Sequence, residues 1–459
     1  MLSFDKIKQV YFIGIGGIGM SALARYFLSE NYKVAGYDKV PSVITEALTM
    51  EGAQLFFDAD VLEIPKDFLD QITTLVVYTP AIPMTNELLS YFSSNGFILI
   101  KRAEALGMIT RKLKSLCVAG THGKSTTSSM LAHILNQSSH KCNAFLGAIA
   151  TNFDSNLLLN SSAEYTVVEA DEFDRSFLQL TPFCSIITSA DPDHLDIYGS
   201  AEKFKEGFKQ YAMKIDPNGF AVVKEGLELK TLAKQITYAI DSETADCSIL
   251  SLGSEEGISF CDCNIMGAFW PKVYLGLSGI HNAENALACI ALLNALGVPE
   301  NEIRSGLKSF SGLKRRFETI ISDEKITFID DYAHHPTEID ALISSLRMLY
   351  PGKKITGVFQ PHLFSRTKDF SYQFSQSLSA LDSLILLPIY PAREAPILGI
   401  SSELLLEGVS IKDKKLLSKE GLLHYLKDFN NAVLVTIGAG DIDRLVQPIK
   451  EILTLNLDL

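Results

Sequence analysis

The feature that most constrains this chain is an apolar strand that runs into a glycine-rich turn and then into a helix, because the chain contains it twice. The first instance starts at VYFI, residues 10–13, and the second at SLCVAG, residues 115–120. A third set of apolar strands begins after Gly312 with ITFIDDYA. Strand–helix–strand units with near-continuous apolar strands build parallel sheets that helices cover on both faces. The sequence therefore predicts an α/β protein.

The first glycine turn has the spacing of a dinucleotide-binding fingerprint. Its glycines are Gly14, Gly16, Gly17 and Gly19, and Asp38 follows 19 residues after the last of them, at the end of the next predicted strand. Glycines let backbone N–H groups approach a diphosphate, and a helix N-terminus favours negative charge. The pattern predicts a nucleotide diphosphate site. A nicotinamide dinucleotide would satisfy it equally, and a tight turn without a ligand is the structural alternative.

The second turn, GTHGKST at residues 120–126, predicts a phosphate-binding loop. A lysine and a hydroxyl after a glycine turn suit phosphate oxygens and Mg²⁺. The motif departs from the usual P-loop, because the first glycine of that pattern would fall at Val118. The alternative is a helix capped by Ser125, with a lysine there by chance. The candidate ATP-binding residues are Gly120, Thr121, His122, Gly123, Lys124, Ser125 and Thr126.

Acidic residues follow two further predicted strands of the same segment. Glu169, Asp171 and Glu172 end one strand, and DPDHLD at residues 191–196, which contains His194, follows the next. Taken alone, each cluster is typical of a solvated loop. Beside a phosphate loop, carboxylates at the carboxyl ends of neighbouring strands predict a divalent metal site.

Length, charge and cysteine usage narrow the class of protein. At about 150 residues per domain, 459 residues predict three domains, with boundaries near residues 108 and 312. The net charge of −13 argues against nucleic-acid binding. The seven cysteines form no CxxC pair, which predicts reduced thiols in a cytoplasmic protein. No apolar run approaches the roughly 18 residues of a membrane span, so we expect no membrane insertion.

Eight ordered motifs resemble those of the Mur ligase family. They span roughly residues 8 to 400 and read GIGGIGM, GTHGKST, EADEFDRSFL, DPDHLDIYG, GIHNAENA, GLKRRFE, DDYAHHPTEI and FQPHLFSRT. The resemblance implies a Rossmann-like nucleotide-sugar domain over 1–108, a central ATP-binding P-loop domain over 109–312 and a Rossmann-like amino-acid-binding domain over 313–459. It also implies a monomer or homodimer.

The activity that the resemblance implies is ATP-dependent ligation. L-alanine would be joined to the carboxylate of UDP-N-acetylmuramate through an acyl phosphate, with Mg²⁺ or alternatively Mn²⁺, in peptidoglycan precursor synthesis. A ligase that recycles murein tripeptide onto the same nucleotide sugar is the alternative within the family. A nicotinamide-dependent dehydrogenase and a nucleotide switch that hydrolyses ATP without making a product are the alternatives of other classes.

The resemblance also assigns roles to residues. Catalytic roles go to Lys124 on the β- and γ-phosphates, Arg316 on the γ-phosphate and His194. The metal ligands would be Ser125, Glu169 and His194. The adenine side would be contacted by Asn282 and Asn285, for which helix capping is the structural alternative, and Asp331 would hold the ribose. Arg315 and Asp330 are one residue away, so a register slip is an open alternative. The nucleotide-sugar residues would be Gly14, Gly16, Gly17, Gly19, Asp38 and Thr79.

The amino-acid end of the site departs from the family pattern. Many relatives have PHRYTRT where this chain has PHLFSRT, so Leu363 replaces an arginine. The resemblance leaves Arg366, with His334 and His335, as the candidate amino-acid-binding residues. Arg393, where relatives often have glycine, is a candidate to compensate. Lys209 has the spacing of the carbamylated lysine of sister ligases, which we do not expect to be used here.

Overall fold

The computed structural model describes residues 6–192, 195–255, 258–392, 394–430 and 432–457. The chain divides into two compact units, Met1–Gly312 and Leu313–Leu459. The described strands form three sheets, of which the first unit contains two. These parallel-rich sheets confirm the predicted α/β class. The break between the two units lies between Gly312 and Leu313. The division into three domains, with boundaries near residues 108 and 312, remains a prediction.

The amino-terminal sheet is wholly parallel and has the order β3-β2-β1-β4-β5, as in a Rossmann-like fold. All five residues of β1 are buried, as expected for a central strand covered on both faces. The elements are β1 Gln9–Ile13, α1 Ile18–Ser29, β2 Lys33–Tyr37, α2 Val43–Met50, β3 Gln54–Phe56, β4 Thr74–Tyr78, α3 Glu87–Ser94, β5 Ile98–Lys101 and α4 Arg102–Thr110, with 3₁₀ turns at Val61–Glu63 and Lys66–Leu69.

The second sheet of this unit has ten strands in the described residues. They are β6 Lys114–Ala119, β7 Cys142–Ala150, β8 Ser155–Leu158, β9 Tyr165–Ala170, β10 Cys184–Ile187, β11 Phe220–Lys224, β12 Lys234–Ile240, β13 Cys247–Glu255, β14 Ile258–Ile265 and β15 Ala268–Leu275. The helices are α5 Lys124–Gln137, α6 Leu195–Tyr198, α7 Ala201–Ala212, α8 Ile280–Ala295 and α9 Glu300–Ser309, with a 3₁₀ segment at Phe173–Gln179.

The order of this sheet determines where the phosphate loop lies. It runs β15-β14-β13-β12-β11-β10-β6-β9-β7-β8, and β6 pairs in parallel with both β10 and β9. The loop after β6 therefore leaves the sheet between the carboxyl ends of β9 and β10. Ligands of open α/β sheets bind at this edge.

The two sheets of the first unit share packing contacts. Phe145 of β7 belongs to the core around α1, with its ring centroid 5.7 Å from that of Tyr26. Asn156 of β8 is fully buried; its amide donates to the carbonyl oxygen of Ile18 and accepts from Arg25 Nη1 at 2.7 Å. Helix α1 is thus held by side chains that follow the phosphate loop in sequence.

The second unit is built on a six-stranded sheet of order β16-β17-β21-β18-β19-β20, parallel except for β16. Its elements are β16 Glu318–Ser322, β17 Ile326–Asp331, α10 Pro336–Leu349, β18 Ile355–Phe359, α11 Phe364–Asp369, α12 Ser371–Leu378, β19 Ser383–Leu386, α13 Ser402–Gly408, β20 Lys414–Leu416, α14 Lys419–Tyr425, β21 Ala432–Ile437 and α15 Val446–Leu457, with 3₁₀ turns at Leu426–Asp428 and Asp441–Leu445. Across the described ranges, no helix of either unit is long and apolar enough to cross a membrane.

Candidate active site

The loop after β6 needs its two glycines. Gly120 has φ +140° and Gly123 has φ +78°, values that side-chain-bearing residues rarely adopt. A Cβ on Gly120 would also lie 2.0 Å from Thr188 Oγ1. Helix α5 begins at Lys124 with Gly123 as its cap residue, so the alternative in which Ser125 caps the helix is wrong.

Polar residues at the end of β10 hold this loop. The backbone N–H of His122 donates to Ser189 Oγ at 2.9 Å, and Thr121 Oγ1 donates to the carbonyl oxygen of Asp191 at 2.8 Å. Thr126 lies half-buried in the first turn of α5. Thr188 and Ser189 were not predicted as site residues, although polar residues directly after an apolar strand are a sequence signal for such a position.

Lys124 is neutralised by Glu172, which belongs to the predicted acidic cluster but was not predicted to pair with the lysine. Its Nζ donates to the carbonyl oxygens of Gly120 at 2.7 Å and Thr121 at 3.3 Å, and to Glu172 Oε1 at 2.9 Å. The Glu172 side chain is 2% exposed. Burial raises the pKa of Glu172, and the Lys124 ammonium opposes that rise. The ammonium is thus held beside the backbone of the loop, where it could bind phosphate oxygens.

Glu169 and Ser125 are in contact. Ser125 Oγ donates to Glu169 Oε1 at 3.1 Å, and the N–H of Gly147 donates to Glu169 Oε2 at 3.0 Å. Burial raises the pKa of Glu169, which the nearby Lys124 partly offsets. A Cβ on Gly147 would lie 2.4–2.5 Å from the three atoms of this carboxyl group, so any side chain here would displace the carboxylate. A glycine inside an apolar strand was the only sequence signal for it.

The donor atoms at this point fit Mg²⁺. Magnesium prefers oxygen ligands and takes one or two carboxylates together with substrate phosphates. Ser125 and Glu169 supply oxygen, and a cation would offset the cost of burying the Glu169 carboxylate. His194 lies outside the described residues. Within those residues, no group of three or more His, Cys, Asp or Glu side chains is arranged to hold a metal ion.

The start of α8 lies against the phosphate loop. A Cβ on Gly123 would be 2.8 Å from Asn285 Oδ1, which places this amide at the loop. Asn282 Nδ2 donates to the carbonyl oxygen of Ser278 at 2.8 Å. The cap residue of α8 is Gly279, and no side chain caps the helix, so the capping alternative for the two asparagines is wrong.

The amino-terminal glycine loop is closed by Asp38. The N–H of Gly16 donates to Asp38 Oδ2 at 2.8 Å, and Asp38 is 7% exposed. Gly14 has φ +91°, and a Cβ there would lie 2.8 Å from Thr79 Cγ2. Four of the predicted nucleotide-sugar residues therefore form one cluster, in which Asp38 shapes the loop.

The other two glycines of this motif meet the first turn of α1. Gly17 is exposed and precedes the helix, and its N–H donates to the carbonyl oxygen of Gly14 at 3.3 Å. Gly19 lies inside the helix beside the Arg102 guanidinium. Arg102 Nη2 donates to Asp171 Oδ2 at 3.0 Å. Arg102 was not predicted, because nothing in its local sequence distinguishes it.

In the second unit, the two neighbouring arginines have different surroundings. Arg315 lies 3.5 Å from Asp330 Oδ2 and 3.4 Å from Asp443 Oδ2. Within the described ranges the Arg316 guanidinium makes no hydrogen bond or ion pair. It lies 5.7 Å from the ring centroid of Tyr332, and its charge opposes the rise in the pKa of Asp331. The N–H groups of the Arg316 guanidinium are therefore available to a ligand, which favours the predicted assignment of Arg316 over the alternative assignment of Arg315.

Asp331 supports the backbone at the end of β17. Its Oδ2 accepts from the N–H of Phe317 and its Oδ1 from the N–H of Ala333, both at 2.7 Å. Burial raises the pKa of Asp331, and these two hydrogen bonds oppose the rise. The carboxylate holds a segment in which Arg315 and Phe317 have left-handed φ values of 60° and 48°. Its contact with a ribose remains a prediction.

The predicted amino-acid residues fall into two groups. Arg366 Nη1 lies 3.5 Å from His362 Nδ1, and the rings of His362 and His334 are 6.3 Å apart. Burial, assisted by the charge of Arg366, lowers the pKa of His362 to about 4, and burial also lowers the pKa of His334. His335 instead packs on Phe370, with ring centroids 4.7 Å apart.

The remaining residues that the family resemblance singled out are Leu363, Arg393 and Lys209. Leu363 has φ +72° and precedes α11. Arg393 lies outside the described residues, next to Glu394, whose Oε2 accepts from the N–H of Ser365 at 2.9 Å. Lys209 is exposed on α7.

Comparison with known proteins covers nearly the whole chain. Residues 9–114 match the Mur ligase family catalytic domain, residues 118–293 the Mur ligase middle domain and residues 315–443 the Mur ligase glutamate ligase domain. A protein of Porphyromonas gingivalis W83 named UDP-N-acetylmuramate--L-alanine ligase is 49% identical over 97% of this chain and 99% of its own length. A protein of Flavobacterium johnsoniae with the same name is 44% identical over 99% and 100%.

Solved structures share the fold. The UDP-N-acetylmuramate-alanine ligase of Thermotoga maritima has a TM-score of 0.83 at 26% identity, over 98% of this chain and 99% of that one. A murein peptide ligase of Psychrobacter arcticus has a TM-score of 0.71 at 20% identity, over 96% and 99%. The three matched domains and the full-length relatives show that this chain belongs to the Mur ligase family.

Proposed function

We propose that the chain joins L-alanine to the lactyl carboxylate of UDP-N-acetylmuramate in peptidoglycan precursor synthesis, with cleavage of ATP to ADP and phosphate. The observation that carries the proposal is that relatives named UDP-N-acetylmuramate--L-alanine ligase match nearly the whole chain at 43–49% identity. The arrangement of Lys124, Glu172 and Glu169 around the phosphate loop supports it, because such a site suits phosphoryl transfer.

Phosphoryl transfer requires positioning and charge neutralisation more than covalent help from the protein. Lys124 brings its ammonium to the loop, where the β- and γ-phosphates would replace Glu172 as its partner. The backbone of residues 120–123 and the N-terminus of α5 supply N–H groups and a favourable dipole. Mg²⁺, held by Ser125, Glu169 and His194, would offset the repulsion between the substrate carboxylate and the γ-phosphate.

The bond changes follow from the two substrates. A carboxylate oxygen attacks the γ-phosphorus, ADP leaves, and the amine of alanine then attacks the acyl carbon. Phosphate departs with the transferred oxygen, and the amine loses a proton. We assign the alanine carboxylate to Arg366, because one guanidinium can bind a carboxylate through two hydrogen bonds. His334, whose lowered pKa keeps its imidazole neutral near pH 7, lies in the same cluster.

The alternatives differ in what they leave unexplained. A nicotinamide-dependent dehydrogenase has no use for the Lys124 loop, and family membership favours the ligase. A switch protein that only hydrolyses ATP has no use for the cluster of His334, His362 and Arg366. The tripeptide-recycling ligase keeps the same mechanism and differs in the amine.

The test is phosphate release from MgATP and UDP-N-acetylmuramate with L-alanine, glycine, L-serine or murein tripeptide as the amine. We expect release that depends on L-alanine. Release with tripeptide alone would assign the chain to recycling. Thermal stabilisation gives a second test, because MgATP and the nucleotide sugar should each raise the melting temperature and NAD should not.

The cellular setting is also part of the proposal. All seven cysteines are buried free thiols, and ATP and nucleotide sugars are cytoplasmic substrates, so we assign the enzyme to the cytoplasm. A monomer or a homodimer remains a prediction that sedimentation would decide.

A further inference from the structure

Gly19, the fourth glycine of the amino-terminal motif, lies against the side chain of Arg102, which leaves no room for a Cβ. Gly19 lies in the first turn of α1, and its φ is not in the left-handed region, so the helix backbone would accept alanine. A Cβ at this position would nevertheless be 2.4 Å from Arg102 Nη1, 3.2 Å from its Cδ and 3.3 Å from its Cζ. These are the three nearest atoms, so Arg102 is the side chain that a methyl group at this position would meet first.

The same guanidinium reaches the acidic loop of the ATP site. Arg102 Nη2 donates to Asp171 Oδ2 at 3.0 Å. Asp171 lies two residues after Glu169 and directly before Glu172, the partner of Lys124. The other oxygen of Asp171 accepts from the N–H of Phe173 at 3.1 Å, so its carboxylate is oriented by the loop.

The pair is only partly buried. The Arg102 and Asp171 side chains are 22% and 35% exposed. Ion pairs with this exposure contribute little to the free energy of unfolding. A planar guanidinium, in contrast, can make two separate contacts in a fixed geometry, which the point charge of a lysine cannot reproduce. The contacts of Arg102 therefore suit a positional role better than a stabilising one.

We propose that Arg102 is a positioning residue that holds the nucleotide-sugar loop against the carboxylate loop of the ATP site. Packing on Gly19 sets the place of the first turn of α1, and the bond to Asp171 fixes that turn relative to Glu169 and Glu172. The substrate carboxylate is thereby presented to the γ-phosphate. This inference rests on the proposed function, in which the first loop binds the nucleotide sugar.

The test is a double-mutant cycle of Gly19→Ala and Arg102→Ala. Each single change should raise the KM for UDP-N-acetylmuramate about tenfold or more and leave the KM for ATP within about twofold. The double variant should be no worse than Arg102→Ala, because removal of the guanidinium leaves room for the methyl group. Lys101→Ala is the matched control: it removes the neighbouring ion pair with Asp174, 2.8 Å long, without touching the glycine loop, and should keep both KM values.

The outcomes separate this inference from the proposed function. Three results would overturn the inference. If the effects of the two changes on the KM for UDP-N-acetylmuramate are fully additive, Gly19 is needed for a reason other than its contact with Arg102. If Arg102→Ala leaves this KM unchanged, Arg102 has no role in the site, and if Lys101→Ala raises it as much as Arg102→Ala does, the effect is a general loss of positive charge. If the wild-type enzyme shows no L-alanine-dependent turnover, the proposed function fails. In that case the affinity of each variant of the cycle for UDP is measured by calorimetry, and its melting temperature shows whether it is folded.

Discussion

Gly147 provides the sharpest test of the arrangement around Glu169. The change is Gly147→Ala, which the backbone tolerates because φ at this position is not left-handed. The new Cβ would stand 2.4–2.5 Å from the Glu169 carboxyl atoms, where ordinary contact begins at 3.4 Å. The carboxylate must move by about 1 Å, and it then loses its bonds from Gly147 N–H and Ser125 Oγ.

The size of the effect follows from this displacement. A shift of about 1 Å in a catalytic group costs on the order of 100-fold in rate. We therefore expect kcat/KM to fall about 100-fold, with a stability loss of about 1–3 kcal/mol from overpacking. The assay is L-alanine-dependent phosphate release, with urea unfolding to measure stability.

The control is Gly421→Ala in α14, where the nearest atom to a new Cβ is Ser418 Oγ at 3.4 Å. This variant should keep the wild-type kcat/KM. Glu169→Gln should lose as much activity as Gly147→Ala, and the double variant should lose little more. A folded Gly147→Ala protein with kcat/KM within about twofold of wild type would refute the reasoning, because the position of Glu169 would then not matter.

Three further changes test other parts of the site. Lys124→Ala should abolish phosphate release while calorimetry still detects nucleotide-sugar binding, since the first glycine loop is separate from Lys124; loss of both would contradict this division. Asp38→Ala should weaken nucleotide-sugar affinity more than ATP affinity, because Gly16 loses the acceptor that closes its loop; a change in ATP affinity alone would reverse that assignment. His362 has a pKa of about 4 when folded and about 6.5 when unfolded, so the unfolded chain binds the extra proton and stability should fall as the pH drops from about 6.5 to 4. Urea unfolding of His362→Gln should show a shallower fall over that range, and an unchanged slope would contradict the burial of a neutral imidazole.

Local patterns were enough to predict the two glycine turns. In each, the glycines, the apolar strand before them and the helix after them are contiguous in sequence, so the pattern alone indicates the geometry. The α/β class followed from the same apolar strands. The segment 215–275 gives a weaker sequence pattern, because its last strands pair antiparallel towards the edge of the sheet and much of β13 is exposed.

The contacts that complete the site could not be predicted in this way. Glu172 contacts Lys124 and Gly147 contacts Glu169 only because separate strands end at the same edge of a sheet. Arg102 contacts Asp171 only because α4 packs against the 3₁₀ segment Phe173–Gln179, which follows Asp171 in sequence. Each partner is many residues distant in sequence, and an isolated arginine or a glycine inside a strand carries no periodic signal. These contacts follow only from the arrangement of strands and helices in space.

The central claim is that ATP activates the substrate carboxylate for attack by L-alanine. The most direct measurement uses UDP-N-acetylmuramate labelled with ¹⁸O in its lactyl carboxylate, together with MgATP and L-alanine, and analyses both products by mass spectrometry. We expect a nucleotide sugar extended by one alanyl residue and inorganic phosphate that carries one ¹⁸O atom from the carboxylate. Unlabelled phosphate, or phosphate release without the extended product, would contradict the account.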